Sequence, residues 1–167
     1  MPNVIFKAPW GALLTIITLI ASVILVGIPV FALANNTANT IAAKLVLVLL
    51  PLGIFIGCAL FLIRGYIISN DTLFVQRSFW NNAIDLSTLE SVDVNPHAME
   101  KSIRTFGNGG LFSFSGRYRN KQLGLYRAFA TKLDNSVVLK FSDQTIVVTP
   151  DQPQRFANEL KQMRNLK

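Results

Sequence analysis

The residues of this chain best suited to binding chemistry are basic and lie close together in its second half. No acidic residue occurs between Lys101 and Asp134, so this positive charge is not neutralised nearby in the sequence. A basic residue beside a membrane gains about 1 kcal/mol from an anionic lipid surface. The stretch therefore predicts contact with anionic lipid, and the alternatives are a solvated basic face or an acidic protein partner. Its basic residues are Arg104, Arg117, Arg119, Lys121, Arg127 and Lys132.

Two adjacent aromatic residues form a second candidate contact. Phe79 and Trp80 lie between two β-rich runs, which predicts a loop. Exposed aromatic side chains suit a membrane interface or a protein partner, and the alternative is that they cover the core. Residues 117–121 are likewise predicted as a loop or strand end, with Tyr118 between two arginines.

Residues for catalysis or metal binding are few. His97 is the only histidine and follows a proline, which predicts a surface turn. Cys58 is the only cysteine and lies in an apolar run, so neither an internal disulfide nor a Cys/His metal site is predicted. The Gly107–Gly110 segment predicts a loop with positive φ or close backbone approach, but it lacks the Lys-Ser/Thr of a P-loop. We therefore predict no enzyme activity and no cofactor.

Two uncharged apolar runs precede most of these residues. Residues 11–34 and 45–63 contain no charged residue or histidine, and at about 1.5 Å per residue each could cross a hydrocarbon core of about 30 Å. We assign both runs to transmembrane helices, residues 1–10 to an N-terminal segment and residues 35–44 to an external loop. The first run also ends in a sequence that resembles a signal-peptide cleavage site, but it is longer than the about 7–15 residues typical of signal peptides.

The charges that flank the runs predict an orientation. Lys7, Arg64 and Arg77 lie on the side of the chain termini, whereas the connecting loop has only Lys44 beside it. Basic flanks favour the cytoplasmic side, so both termini are predicted to be cytoplasmic in a multi-pass protein of the bacterial inner membrane. Neither run contains an acidic or basic residue, which argues against transport by this chain alone.

Gly53 and Gly57 form a small-xxx-small pair within the second run. Such a pair lets another helix approach closely, and that helix could be the first run, a protein partner or a second copy of the chain. The alternative is that both glycines simply face lipid.

Residues 65–167 alternate between short β-rich runs and turns, and they end in a helix. The pattern predicts about seven strands. Phe156, Leu160 and Met163 recur at helical spacing and form one apolar stripe. Residues 149–152, Thr-Pro-Asp-Gln, fit a capping box with proline at the first helical position. The predicted fold is a mainly-β α+β domain with a C-terminal amphipathic helix across an open end of the sheets.

Several of these segments resemble the bacterial pleckstrin-homology (PH)-like domain family. They are GNGGLF at 107–112, GRY at 116–118, LGLY at 123–126, AT at 130–131, VVLKF at 137–141, IVVTPD at 146–151 and Phe156. The resemblance extends from Gly65 to about Leu166. It implies a seven-stranded bent sandwich or partly open barrel with a capping helix, and members often carry one or two preceding membrane helices. Many eukaryotic PH domains bind phosphoinositides through basic residues around the first hairpin, which here offers only Arg77.

The sequence therefore predicts a non-catalytic, membrane-anchored interaction module that tethers protein or anionic-lipid contacts. Its expected partners are membrane lipids and either a protein or a second copy of the chain. We find no nucleic-acid-binding motif. The alternatives are an accessory or assembly subunit of a larger membrane complex and, more remotely, an enzyme of unknown type.

Overall fold

A computed structural model describes residues 3–35 and 40–166 of the protein. Within these ranges the chain forms ten strands and three α-helices, with one 3-10 turn at Leu133–Asn135. In chain order the elements are β1 Val4–Lys7, α1 Ala12–Ala34, α2 Ile41–Leu60, β2 Ile63–Ser69, β3 Thr72–Arg77, β4 Asn81–Asp85, β5 Leu89–Val94, β6 Ile103–Gly109, β7 Phe114–Asn120, β8 Gly124–Ala130, β9 Val137–Phe141, β10 Thr145–Val148 and α3 Pro153–Arg164.

The strands form two sheets that enclose the main core as an open sandwich. One sheet has the order β1-β2-β3-β4 and the other the order β5-β9-β10-β8-β7-β6. Neighbouring strands are antiparallel except β8 and β10, which pair in parallel with Ile146 opposite Arg127. Inward-facing aliphatic and aromatic side chains of both sheets, including Leu73 and Leu139, are fully buried between them. The predicted fold class is confirmed, with ten strands where about seven were expected.

The additional strand β1 precedes the first apolar helix. It pairs antiparallel with β2, from Val4 opposite Ile68 to Lys7 opposite Gly65. Phe6 is buried in the main core, and its ring contacts the edge of Phe156 at a centroid distance of 5.1 Å. The segment before α1 is thus part of the β-domain, and both apolar helices are inserted between two paired strands.

The predicted capping box is wrong, and α3 begins at Pro153 rather than Pro150. Two side chains of this segment form long-range hydrogen bonds instead. The Thr149 hydroxyl accepts a hydrogen bond from the Thr131 backbone N–H at 2.8 Å, and Asp151 Oδ1 accepts one from the Lys7 N–H at 3.2 Å. The apolar stripe of α3 is confirmed, because its members pack against the main core.

Helices α1 and α2 are long and apolar enough to cross a membrane, and the rest of the described chain leaves them almost entirely uncovered. Helix α2 begins four residues before the charge-free run, because the Thr40 hydroxyl caps it by accepting a hydrogen bond from the Ala43 N–H at 3.2 Å. It ends at Leu60, and Ile63 already belongs to β2. The predicted external loop includes residues 36–39, which lie outside the described residues.

The start of α1 packs on the β-domain. Leu14 is fully buried in a second core cluster with Phe114 and Tyr118. The buried Thr18 hydroxyl donates a hydrogen bond to the Gly110 carbonyl and accepts one from the Phe112 N–H, both at 3.1 Å. These contacts fix the helical hairpin against the domain in addition to the two covalent connections.

Candidate anion-binding groove beside the second apolar helix

A groove of about 1400 Å³ lies between the last turns of α2 and the exposed face of the six-stranded sheet. Ile54, Gly57 and Cys58 line it from the helix. Strands β6 to β8 contribute the opposite wall, and the end of β3 closes the groove beside Phe61. One apolar helix and one basic sheet face therefore share a single concave surface.

Arg77 is the most constrained cation of this groove. Its side chain is only 7% exposed. Nε donates a hydrogen bond to Asn82 Oδ1 at 2.6 Å, Nη2 donates one to Ser115 Oγ at 2.8 Å, and Nη1 donates one to the Phe61 carbonyl. The guanidinium thus joins the end of α2 to both sheets, and it keeps two of its five N–H donors free of these bonds.

Arg77 has no carboxylate partner in the described part of the chain, where the ion pairs involve only His97, Arg155 and Arg164. Burial lowers the pKa of Arg77 to about 10, with a further lowering from the positive charge of Arg127. A buried cation is normally paired, because removing an isolated charge from water is costly.

Arg127 lies beside Arg77 across a shared aromatic ring. The guanidinium carbon of Arg127 is 4.7 Å from the centroid of the Phe129 ring, and that of Arg77 is 5.4 Å from it. Arg127 also stands opposite Arg117 in the β7–β8 ladder, so both arginines project from the same face of the sheet. Two guanidinium groups thus contact one ring, and guanidinium groups are the side chains best suited to bind phosphate or carboxylate.

The groove contains more positive than negative charge. Arg77, Arg104, Arg117 and Arg127 line it, and Asp143 is the only carboxylate among its lining residues in the described chain. Phe106 and Leu125 are also on the wall, and their side chains are 76% and 59% exposed. The surface therefore combines cations with exposed apolar groups.

The structure divides the six basic residues predicted from the sequence into three groups. Arg104, Arg117 and Arg127 line the groove. Arg119 and Lys121 lie toward the other end of β7, about 20 Å along the strand from the end that contacts α2. Lys132 lies beside Gly11 at the start of α1.

Of the two structures predicted for residues 117–121, a loop or a strand end, the strand end is present at residues 117–120. Residues 117–119 pair with residues of both β6 and β8, and Asn120 ends β7 opposite Gly124 of β8. Tyr118 does not lie between the arginines on the surface. It is buried on the opposite face of the sheet, where it stacks on Tyr126 at a centroid distance of 6.0 Å. Alternation along the strand separates it from its neighbours.

The predicted glycine loop is corrected. Residues 107–109 form the end of β6, and only Gly110 lies beyond the strand. The expected close backbone approach is present, because Gly107 and Gly116 are directly opposite each other and both have positive φ.

The aromatic pair lies in the β3–β4 turn, as the loop prediction requires. Phe79 is 79% exposed, whereas Trp80 packs edge-on against Phe61 at a centroid distance of 5.3 Å.

A third aromatic residue was missed by the sequence reasoning. Phe112 contacts Trp10 and Phe55 at centroid distances of 6.2 and 5.2 Å, so the β6–β7 turn joins α2 to the segment just before α1.

Gly53 and Gly57 do not pack against α1. A Cβ atom built at either position would have no described atom within 4 Å. Gly57 instead lines the groove. Any close helix packing through this pair would require a partner outside the described chain.

His97 lies in an exposed turn and pairs with Glu100 of the same turn through its Nδ1 atom. Among the described residues, no group of three or more His, Cys, Asp or Glu side chains is arranged to hold a metal ion.

Comparison with known proteins identifies the family. The model of the bacterial PH domain matches residues 64–164, which is more than half of the chain. No curated protein and no solved structure gives a significant match. The matched residues contain β2 to β10 and α3, and therefore most of the sandwich described above. The chain belongs to the bacterial PH domain family.

Proposed function

We propose that this protein is a non-catalytic interaction module held at the cytoplasmic face of a bacterial inner membrane by a helical hairpin. PH domains are in general non-catalytic interaction modules, which supports the first part. Helices α1 and α2 support the second part, because their exposed apolar surface is stable in lipid rather than in water.

The observation that carries this proposal is the short, packed junction between hairpin and domain. Two residues separate α2 from β2, and four separate β1 from α1. The buried contacts of Leu14 and Thr18 then hold α1 on the domain. With both helices in a bilayer, the domain has little freedom to move away, so weak contacts with lipids or membrane proteins become effective.

Anionic lipid is the proposed surface for these contacts. The chain carries a formal net charge of +7, and the exposed Phe79 lies close to the end of α2 through its neighbour Trp80. Aromatic side chains at the headgroup level and basic residues near an anionic leaflet both favour this arrangement. The basic flanks of the hairpin favour the cytoplasmic leaflet.

The orientation is tested with single cysteines in a Cys58→Ser background. In intact cells a membrane-impermeant maleimide is expected to label Thr37→Cys and not Glu90→Cys, which should react only after permeabilisation. The reverse pattern would contradict the proposed orientation. Recovery of the full chain in the soluble fraction after cell lysis would contradict the membrane anchor itself.

A second candidate function is an accessory or assembly subunit of a larger membrane complex. The open space beside Gly53 and Gly57 favours it, since a partner helix could approach there. The full chain extracted in mild detergent should then copurify with one protein at fixed stoichiometry, and both Gly53→Leu and Gly57→Leu should release it. Retention of the protein by both variants would exclude this face as the interface.

A further inference from the structure

The groove holds more positive charge than the carboxylates among its described lining residues can neutralise. Its one carboxylate, Asp143, faces four arginines, and Arg77 is buried without an ion-pair partner. Burial of an unpaired charge is costly, and a bound anion offsets the cost by replacing the lost hydration. This imbalance points to an anionic ligand.

Two neighbouring arginines of the groove keep unused donors. After its three hydrogen bonds, Arg77 keeps one N–H on each Nη atom. The Arg127 side chain forms no hydrogen bond or ion pair within the described residues, and its guanidinium lies over the same Phe129 ring as that of Arg77. Two guanidinium forks match the several oxygens of a phosphate better than a single carboxylate.

The helix wall of the groove is suited to hydrocarbon. Ile54, Gly57 and Cys58 are on this wall, and the missing side chain of Gly57 leaves a track beside α2. From Phe61 to Ile54 the helix extends about 10 Å, enough for several methylene groups. A phosphate ion would not contact this apolar wall, whereas an amphiphile could contact the basic sheet face and the apolar helix wall at once.

We propose that the groove binds one anionic phospholipid from the surrounding leaflet, with its phosphate between Arg77 and Arg127 and one acyl chain along Gly57. This proposal rests on the membrane anchor proposed above. It differs from binding at the first hairpin, because Arg77 is at the end of β3 opposite to the β2–β3 turn. The bound lipid neutralises the buried guanidinium and fills the space between helix and sheet.

Native mass spectrometry of the full chain in detergent tests the proposal. After incubation with a mixture of phosphatidylglycerol and phosphatidylcholine, the wild-type protein is expected to retain one phosphatidylglycerol. Arg127→Gln should weaken this binding by about tenfold or more, since a charge-assisted hydrogen bond is lost. Arg119→Gln is the matched control, because Arg119 lies on the same sheet face but outside the groove. Equal losses in both variants, or equal retention of the two lipids, would overturn the proposal.

A second pair of variants tests the acyl track. Gly57→Phe should fill the space beside α2 and abolish lipid retention, whereas Gly53→Phe, which is not on the groove wall, should leave it intact. This pattern also separates the lipid site from a helix–helix interface, in which both glycines would matter. Retention of the lipid by Gly57→Phe would overturn the proposed placement of the chain.

Competition with two further ligands tests whether the groove binds a lipid headgroup, free phosphate or an acidic protein. Inorganic phosphate or polyglutamate that displaced the lipid at similar concentrations would show a site for free phosphate or for an acidic protein, and would overturn the lipid assignment. The cysteine-labelling experiment described above tests the membrane anchor separately, and Arg127→Gln is expected to give the same labelling pattern as the wild-type protein.

If the labelling pattern is as expected but the wild-type protein retains both lipids equally, the lipid site is excluded and the membrane anchor is still supported.

Discussion

At the scale of single residues, Tyr66 shows how one side chain joins distant strands. Its ring is fully buried, and its hydroxyl donates a hydrogen bond to the Phe129 carbonyl at 2.6 Å. The same oxygen accepts a hydrogen bond from the Thr149 N–H at 3.1 Å. The phenol therefore connects β2 of one sheet with β8 of the other and with the residue that follows β10.

Tyr66→Phe is expected to lower the free energy of unfolding by about 1–3 kcal/mol, because the Thr149 N–H and the Phe129 carbonyl would lose this partner in the buried core. Chemical denaturation of the detergent-solubilised chain measures the loss. Tyr126→Phe is the control, since its hydroxyl bonds only to the partly exposed Ser102 and a smaller loss is expected. Equal losses in the two variants would contradict the structural role of the Tyr66 hydroxyl.

The candidate site could be predicted only in part at this scale. The excess of basic residues after Lys101 is visible in the sequence, and three of the six residues named there line the groove. Which three do so depends on the pairing register of β6, β7 and β8, which the sequence pattern does not give. Arg77 was not proposed as a site residue. It and Arg127 contact the same Phe129 ring, but they belong to strands that are far apart in the chain.

At the scale of elements, β6 and β7 approach each other through a pair of glycines. Gly107 and Gly116 are opposite each other, with φ of +104° and +142°. A Cβ on Gly116 would lie 2.2 Å from the Phe106 carbonyl oxygen. No side chain fits there without a shift of the backbone, so the close pairing of these strands depends on glycine.

Gly116→Ala should destabilise the domain by more than the about 1 kcal/mol expected for Gly124→Ala. Both positions have positive φ, but an added Cβ at Gly124 meets no described atom within 4 Å. The difference between the two variants therefore measures the steric clash together with the additional backbone strain at Gly116, whose φ of +142° is farther from the left-handed region than the +67° of Gly124. Thermal unfolding followed by circular dichroism measures it, and identical transition temperatures would show that β6 and β7 can separate at little cost.

Strand β1 yields a second prediction about elements. Phe6→Ala should cost about 3–5 kcal/mol, because a buried ring is removed from the main core. Ile5→Ala should have little effect, since the adjacent side chain is 65% exposed. Denaturation of the two full-length variants provides the comparison. Similar stabilities would mean that β1 does not belong to the folded domain.

The fold class was predictable, but this strand was not. The alternating runs and the apolar stripe of the last helix are local patterns, and they indicated a β-rich domain closed by a helix. Residues 4–7 are too few for a clear pattern and precede a long apolar run. Their strand conformation depends on pairing with β2, more than fifty residues later in the chain.

At the scale of the whole molecule, the helical hairpin interrupts the β-domain in the chain. β1 and β2 are neighbours in one sheet, yet α1 and α2 lie between them in the chain. Folding of the sandwich therefore brings together the two ends of the hairpin. The proposed insertion of the helices into the membrane therefore depends on the same junction as the pairing of β1 with β2, so the two processes are coupled.

The stability of the whole domain is expected to fall in alkaline solution, because its three tyrosines are buried. Burial raises the pKa of Tyr66 and of Tyr118 to about 12, and it also raises that of Tyr126. The folded state thus favours the protonated phenols, whereas the unfolded chain ionises them near pH 10. Their contribution to stability is complete below about pH 10 and is lost as the pH rises toward 12.

A pH titration of the phenolate absorbance in native and denatured protein checks this expectation. In denaturant all three tyrosines should ionise near pH 10. In the native protein ionisation should be delayed toward pH 12 and should coincide with unfolding, because each phenolate is incompatible with its buried site. Tyr66→Phe should retain a delayed transition for the other two tyrosines. Native titration near pH 10 without loss of structure would contradict the burial of these rings.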